Sequence, residues 1–310
     1  MVALPTTDWT ELVRRIAADT VSGATDLTRQ AAEALIAFAD QTPGQTPDEL
    51  IVELTAAARM MVSAQSVMAP LFNLVNTVLR AVTYSPRTAD LRQVIRSTAR
   101  NYGEGLIVGL AEMAHLAAGV LSPGARVLTH SHSSTVETAL LTAHREGRLG
   151  SVICTESRPQ YEGRVLARRL AEVGIPTTLT LDAGVYSLWD QVDIVLLGAD
   201  SLCVRGIVNK IGSAGMAAAA RVRGVDCYVL AGIEKVWPAA LGEVPPIPDR
   251  PAEEVWPDVP ANIRVVNKFF DVSPWWAISG VITALDVLPV QEAQGLPETV
   301  RVHPALRSPE

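Results

Sequence analysis

At 310 residues the chain exceeds what one ordinary hydrophobic core organises, which favours two lobes over one. Hydrophobic residues make up 48% and charged ones 19%, and no run approaches the about 20 uncharged apolar residues that a membrane helix needs, so no membrane partner is expected. A net charge of −7 argues against a nucleic acid gripped through its phosphates, and confines any phosphate specificity to a cleft.

The stretch from Met1 to Arg15 places acidic residues before its basic pair and has no continuous apolar core, so no secretory leader is expected. From Asp8 to about Ala118 the pattern is helical. Trp9, Leu12, Val13 and Ile16 mark one amphipathic face, and Leu27 to Ala39 is an Ala-rich segment suited to close packing. A Gly-containing link from Val21 to Asp26 separates these two. Thr42 to Pro47 is a second breaker, with Thr46 placed as N-cap and Pro47 at the first helical position. Helices over Leu50 to Val62, Met68 to Thr83 and Leu91 to Leu121 follow, interrupted at Tyr84-Ser85-Pro86. Arg59 lies among small and apolar neighbours. It reads either as a side chain whose head reaches water or as a phosphate clamp aimed at the other lobe.

After Pro123-Gly124 the texture changes to short apolar runs alternating with amphipathic helices. Strands are expected at Val127–Thr129, Ser151–Thr155, Thr177–Leu181, Asp193–Gly198 and Cys227–Ala231, with helices from Val136, Gly163, Ala183 and about Gly212. Such alternation calls for a parallel sheet covered on both faces, with ligands beyond the carboxyl ends of its strands. The predicted fold is therefore α/β: residues 1–121 form a helical N-terminal lobe, and 122–310 a Rossmann-like domain with a Pro-rich arm.

The first strand runs into Thr129-His130-Ser131-His132-Ser133, and Ser134 with Glu137 has the spacing of a capping box. This loop reads either as a well-capped turn or as an anion site at a helix N-terminus. Polar groups stand at every later strand end: Glu156-Ser157-Arg158, Asp182, Asp200 and Glu234-Lys235. Asp200 follows the apolar Val195 to Ala199, which predicts a partly desolvated carboxylate with a raised pKa and makes it the candidate proton carrier.

No dinucleotide or P-loop glycine pattern is present, and Gly212-Ser213 is only superficially a nucleophile elbow. His115, His130, His132, His144 and His303 give one close pair and no nearby thiol, so no metal and no cofactor are expected. Cys154, Cys203 and Cys227 are widely spaced and match no disulfide or zinc pattern, which points to the cytoplasm. Past Trp237 the chain is Pro-rich and reads as an extended arm over the surface. Strands are plausible at Ile263–Val266 and Ile278–Thr283. The aromatics from Phe269 to Trp276 read as core or subunit interface, with Asp271 alone able to reach a site.

Leu128 to Ser133, Cys154 to Pro159, Gly198-Ala199-Asp200, Val208 to Ser213 and Phe270 to Pro274 together resemble one superfamily. It comprises ribose-1,5-bisphosphate isomerase, methylthioribose-1-phosphate isomerase and the alpha, beta and delta subunits of eukaryotic initiation factor 2B. The resemblance covers most of the chain and is strongest from Val127 to Lys235. It implies an aldose–ketose isomerase acting on a phosphorylated sugar, as a homodimer or higher homo-oligomer. In ribose-1,5-bisphosphate isomerases a cysteine in the first loop works with the aspartate of Gly-Ala-Asp. These positions are Ser131 and Asp200 here.

The resemblance also implies phosphate binding by Arg59, His132, Ser133, Asn209, Lys210 and Lys235. The isomerases' Arg-Gly-Ala-Gly turn corresponds to Ser22, Gly23, Ala24 and Thr25, with serine in place of arginine. A serine hydroxyl is a poor base unless a neighbour takes its proton, whereas a thiol titrates near about 8.5. A non-catalytic sugar-phosphate or nucleotide sensor, or an assembly subunit like those of the initiation factor, is the competing reading.

Overall fold

The computed structural model describes residues 8–19, 22–44, 46–85 and 90–307. Five helices come first: α1 (Trp9–Ala18), α2 (Ala24–Gln41), α3 (Pro47–Ala64), α4 (Ala69–Thr83) and α5 (Leu91–Gly119). Their starts follow from side chains that accept the first free amides. Asp8 caps α1, Asp90 caps α5, and Thr46 forms with Glu49 a reciprocal capping box ahead of Pro47. The small residues of α2 let neighbouring backbones approach: Ala31, Ala34 and Ala39 are buried beside Leu27, Leu35 and Phe38. The expected break after Thr83 is present, although Pro86 lies outside the described residues, as does Val21.

The rest of the chain gives β1 (Ala125–Thr129), α6 (Ser134–Arg145), β2 (Leu149–Thr155), α7 (Glu162–Glu172), β3 (Thr177–Thr180) and β4 (Ile194–Leu197). There follow β5 (Ser201–Cys203), β6 (Gly206–Lys210), α8 (Ser213–Arg223), β7 (Asp226–Leu230), β8 (Phe270–Pro274), β9 (Gly280–Ile282), β10 (Val287–Pro289) and α9 (Val290–Thr299). The main sheet has the order β10-β9-β7-β4-β1-β2-β3 and is parallel except for β10. This is the expected Rossmann-like sheet with a helical N-terminal lobe. Because β1 pairs with β2 on one side and β4 on the other, the chain changes direction across the sheet beside β1, where such folds open a crevice.

One helix joins the two parts. Leu91, Ile95 and Ala99 of α5 belong to the helical core, whereas Met113, Ala114, Ala117 and Ala118 pack with α6 on the main sheet. At the other end Val67, Ala69 and Phe72 pack on Cys203, Val208 and Trp237. Among the described residues no helix is long and apolar enough to cross a membrane.

Residues 201–210, to which the sequence reading assigned no element, form a hairpin, β5 and β6, which pairs with β8 in a separate three-stranded antiparallel sheet. Three expectations need correction. Ala183–Ser187 is a single 3-10 turn, and Ile263–Val266 is not a strand. The cap of α6 is Ser133, one residue earlier than the spacing suggested. Glu137 does not return to the backbone because His132 and Arg169 hold its carboxylate, at 2.6 and 2.9 Å.

Candidate active site

The carboxyl ends of β1, β4 and β6 meet the start of α2 and the end of α3 around a cavity of about 220 Å³. Its size lies below the about 300 Å³ at which pockets for drug-sized ligands begin, so it suits a small metabolite. Ser131, His132, Ser133, Asp200, Asn209, Lys210 and Lys235 all line it, and so do Ser22, Gly23 and Ala24. The sequence-derived set therefore converges on one space, with a single exception. Arg59 is exposed and absent from the lining, and its Nε donates to the Ala305 carbonyl at 3.1 Å. Six residues further on, Gln65 takes a place in the wall and ties down the α1–α2 connection by donating to the carbonyls of Ile16 and Asp19.

The first loop leaves β1 through a tight bend in which Ser131 adopts the left-handed φ of 64°, a conformation that costs a non-glycine residue energy and is held by its surroundings. Packing beside it demands glycine at position 198, since a Cβ there would stand 2.7 Å from the Ser133 hydroxyl. The imidazole of His130 is fully engaged. Its Nε2 donates to the Ile211 carbonyl at 2.7 Å, so its Nδ1 accepts from the Thr155 hydroxyl at 2.5 Å. Burial also depresses its proton affinity, leaving a neutral ring with a fixed tautomer. His132 turns its Nε2 to Glu137. Burial would raise the Glu137 carboxyl, but the bonds from His132 and Arg169 hold it below the usual range. Neither imidazole is hydrogen-bonded to Ser131.

Asp200 follows β4, and its backbone N–H donates to Val208 at 2.8 Å. Burial pushes its carboxyl up to about 6, with Glu162 adding to the rise and Lys235 and Lys210 opposing it. Both ammonium groups are themselves buried. Lys235 sits in a 3-10 turn, Ile233–Lys235, that Asn73 of α4 holds by donating to the carbonyls of Glu234 and Val236 at 2.7 and 2.8 Å. Burial lowers its proton affinity, while Glu234 and Asp200 raise it. Lys210 ends β6, pairs with Glu162, and stands 3.4 Å from the centre of the Phe269 ring. Asn209 donates to Ser213 at 2.9 Å.

Glu162 and Arg250 line the cavity although nothing in the sequence singled them out. Glu162 is the first residue of α7, and the helix can start so close to β2 because a Cβ at Gly163 would fall 1.7 Å from the Thr155 carbonyl oxygen. Asp271 is absent from the lining. It accepts from the amides of Gly212 and Ala214, at 2.7 and 3.2 Å, and so caps α8. Cys154 packs in the sheet, where burial pushes its thiol up to about 12. Among the described residues no His, Cys, Asp and Glu cluster is suited to a metal ion.

The arrangement supplies a carboxyl group whose proton affinity is raised to about 6, two desolvated ammonium groups and hydroxyls around one cavity. Such a set can move protons on a ligand and neutralise a phosphate.

The sequence pattern of the Initiation factor 2 subunit family matches residues 20–290. Ribose 1,5-bisphosphate isomerase of Archaeoglobus fulgidus is 32% identical over 91% of this chain and 90% of its own. Methylthioribose-1-phosphate isomerase of Pelotomaculum thermopropionicum is 31% identical, over 95% and 85%. A solved structure described as translation initiation factor eIF-2B of Pyrococcus horikoshii OT3 superposes with a TM-score of 0.79 at 28% identity, covering 91% of this chain and 96% of that one. With its strand-end groups, its fold and a match along most of its length all in agreement, the chain belongs to the Initiation factor 2 subunit family.

Proposed function

We propose that this protein is a sugar-phosphate isomerase that interconverts an aldose 1-phosphate, such as ribose 1,5-bisphosphate, with its ketose. The observation that carries this reading is the Asp200 carboxyl, raised to about 6 beside the buried ammonium groups of Lys210 and Lys235. The names of the similar enzymes support it.

In the reaction the bond between C1 and the ring oxygen breaks as that oxygen gains a proton. A hydrogen passes from C2 to C1, and the 2-hydroxyl gives up its proton to become the ketone. One proton enters and one leaves, so an acid and a base of suitable strength suffice. Asp200 is ionised above about pH 6 and serves as the base. The buried ammonium groups, which burial makes more acidic, are the acids at hand and neutralise the phosphate. Asn209, Ser133 and the start of α2 orient the ligand's oxygens, and Ser131 contributes a hydrogen bond rather than a base.

The engagement of His130 with Ile211 and Thr155, and of His132 with Glu137, favours a second reading, in which the pocket binds a sugar phosphate without turning it over. Incubation with ribose 1,5-bisphosphate and with methylthioribose 1-phosphate, following ketose formation, separates the two. Turnover abolished by Asp200→Asn supports the enzyme, and binding without turnover supports the sensor.

Self-association belongs to the same proposal. Ile107, Val108, Ile233 and Leu285 are large exposed apolar side chains, the last 85% exposed, and exposed apolar surface of this kind favours a covered interface. Sedimentation at micromolar concentration is expected to give a dimer or larger assembly.

A further inference from the structure

Among the described residues three lysine or arginine side chains line the cavity, and the isomerase reading uses only Lys210 and Lys235. The third, Arg250, comes from the Pro-rich stretch and is held in place from behind. Its Nη2 donates to Glu254 at 2.8 Å, and the other carboxylate oxygen of Glu254 accepts from Asn267 at 3.0 Å. Asn267 is itself buried, its side chain donates also to the Pro251 carbonyl at 2.8 Å, and its backbone carbonyl accepts from the backbone N–H of Arg250. The guanidinium is therefore oriented before any ligand arrives.

The remaining donors of that oriented group are not all used. Its Nε is buried and has no acceptor among the described residues, which leaves the desolvation of a charged N–H uncompensated. Its Cζ stands 5.2 Å from the centre of the Phe269 ring, the same ring that carries Lys210 at 3.4 Å. Two cations thus share one aromatic ring, and Arg250 is felt at Lys210 as a like charge. An oriented guanidinium that lines the cavity next to a second cation suits a phosphate dianion.

Among the described residues the opposite wall offers no alternative. Ala17, Ser22, Gly23, Ala24 and Gln65 are neutral, and the charged side chain that this wall contributes, Asp19, is acidic. Arg250 shares the Phe269 ring with Lys210 and enters the lining from the Pro-rich stretch, whereas Asp200 enters it from the end of β4.

We propose that Arg250 binds the ligand phosphate that lies away from the reacting carbons, so that the cavity selects a sugar carrying two phosphates. Which end reacts rests on the isomerase reading, whereas the phosphate contact itself does not.

Calorimetric titration of the full chain with ribose 1,5-bisphosphate and with ribose 1-phosphate tests this, using the wild type, Arg250→Gln and Arg250→Lys. The wild type is expected to bind the bisphosphate at least about tenfold more tightly, as one added charge-assisted contact implies. Arg250→Gln should weaken the bisphosphate by roughly tenfold to a hundredfold and the monophosphate by less than about threefold. Arg250→Lys keeps the charge and loses the fork, so an intermediate, bisphosphate-selective loss is expected. That variant decides the matter if Arg250→Gln lowers the thermal midpoint. Equal weakening of both ligands, no weakening of either, or a wild type without preference for the bisphosphate overturns the proposal. If Arg250 selects the bisphosphate but no ketose forms, the isomerase reading fails and the contact stands.

Discussion

The floor and the helical wall of the cavity are built by different means. The floor presents the half-buried Asp200 and the buried Lys210 and Lys235, each displaced from its ordinary proton affinity. The wall presents Gly23 and Ala24 at the start of α2 together with the amide of Gln65, which is already occupied by the carbonyls of Ile16 and Asp19. Chemistry belongs to the floor, where rigid strands fix the groups. The wall supplies enclosure, and without it the floor would be wet and its charges screened.

The largest effect expected from breaking this contrast is at Asp200. Asp200→Asn should lower kcat for ketose formation by roughly 10²–10⁴-fold, the usual worth of a general acid or base, with KM changed less than about threefold. The same substitution should stabilise the protein. The folded carboxyl titrates near about 6 against 3.8 in the unfolded chain. Between those values the folded state retains a proton that the unfolded state has released, so stability from this group falls as pH rises through the window. Above it, Asp200→Asn should add on the order of 1–3 kcal/mol in urea unfolding.

Next comes the pair beneath the floor. Glu162→Gln leaves a buried Lys210 without its counter-charge and should cost about 3 kcal/mol of unfolding free energy. Burial lowers the Lys210 proton affinity and Glu162 opposes that fall, so the variant's alkaline limb of activity should move to lower pH. Ser131→Ala should be milder, below about tenfold in kcat, because no imidazole is bonded to that hydroxyl to make it a base. On the wall Gln65→Ala removes no charge and should raise KM by a few-fold at most while loosening the α1–α2 connection, readable as faster amide exchange at Ser22 to Thr25. Arg59→Gln, outside the cavity, should leave KM unchanged.

The same division explains what the sequence could disclose. Strand ends can be read locally, because an apolar run that stops at a polar residue marks both the strand and its tip, and so Ser131, Asp200 and Lys235 were legible. The raised carboxyl of Asp200 followed from the apolar approach of Val195 to Ala199. Groups whose role depends on a distant partner were not legible: Glu162 meets Lys210 across 48 positions, and Arg250 is aimed by Glu254 and Asn267 on a stretch that reads only as an arm. For Arg59 the local pattern left two readings open, and the structure has the side chain exposed, as in the reading whose head reaches water. On a helix the buried side holds Ala57, Ala58 and Met61, while residues 59 and 60 turn outward. The hairpin of β5 and β6 was missed for a related reason, since its pairing with β8 spans more than fifty residues of chain.

The pH dependence of kcat/KM with ribose 1,5-bisphosphate, in the wild type and Asp200→Asn side by side, tests the central claim most directly. The wild type should lose activity about tenfold per pH unit below about 6, and the residual activity of Asp200→Asn should show no such bend. A wild-type profile flat between about pH 5 and 7, or the same bend retained in Asp200→Asn, would contradict the assignment of Asp200 as the base.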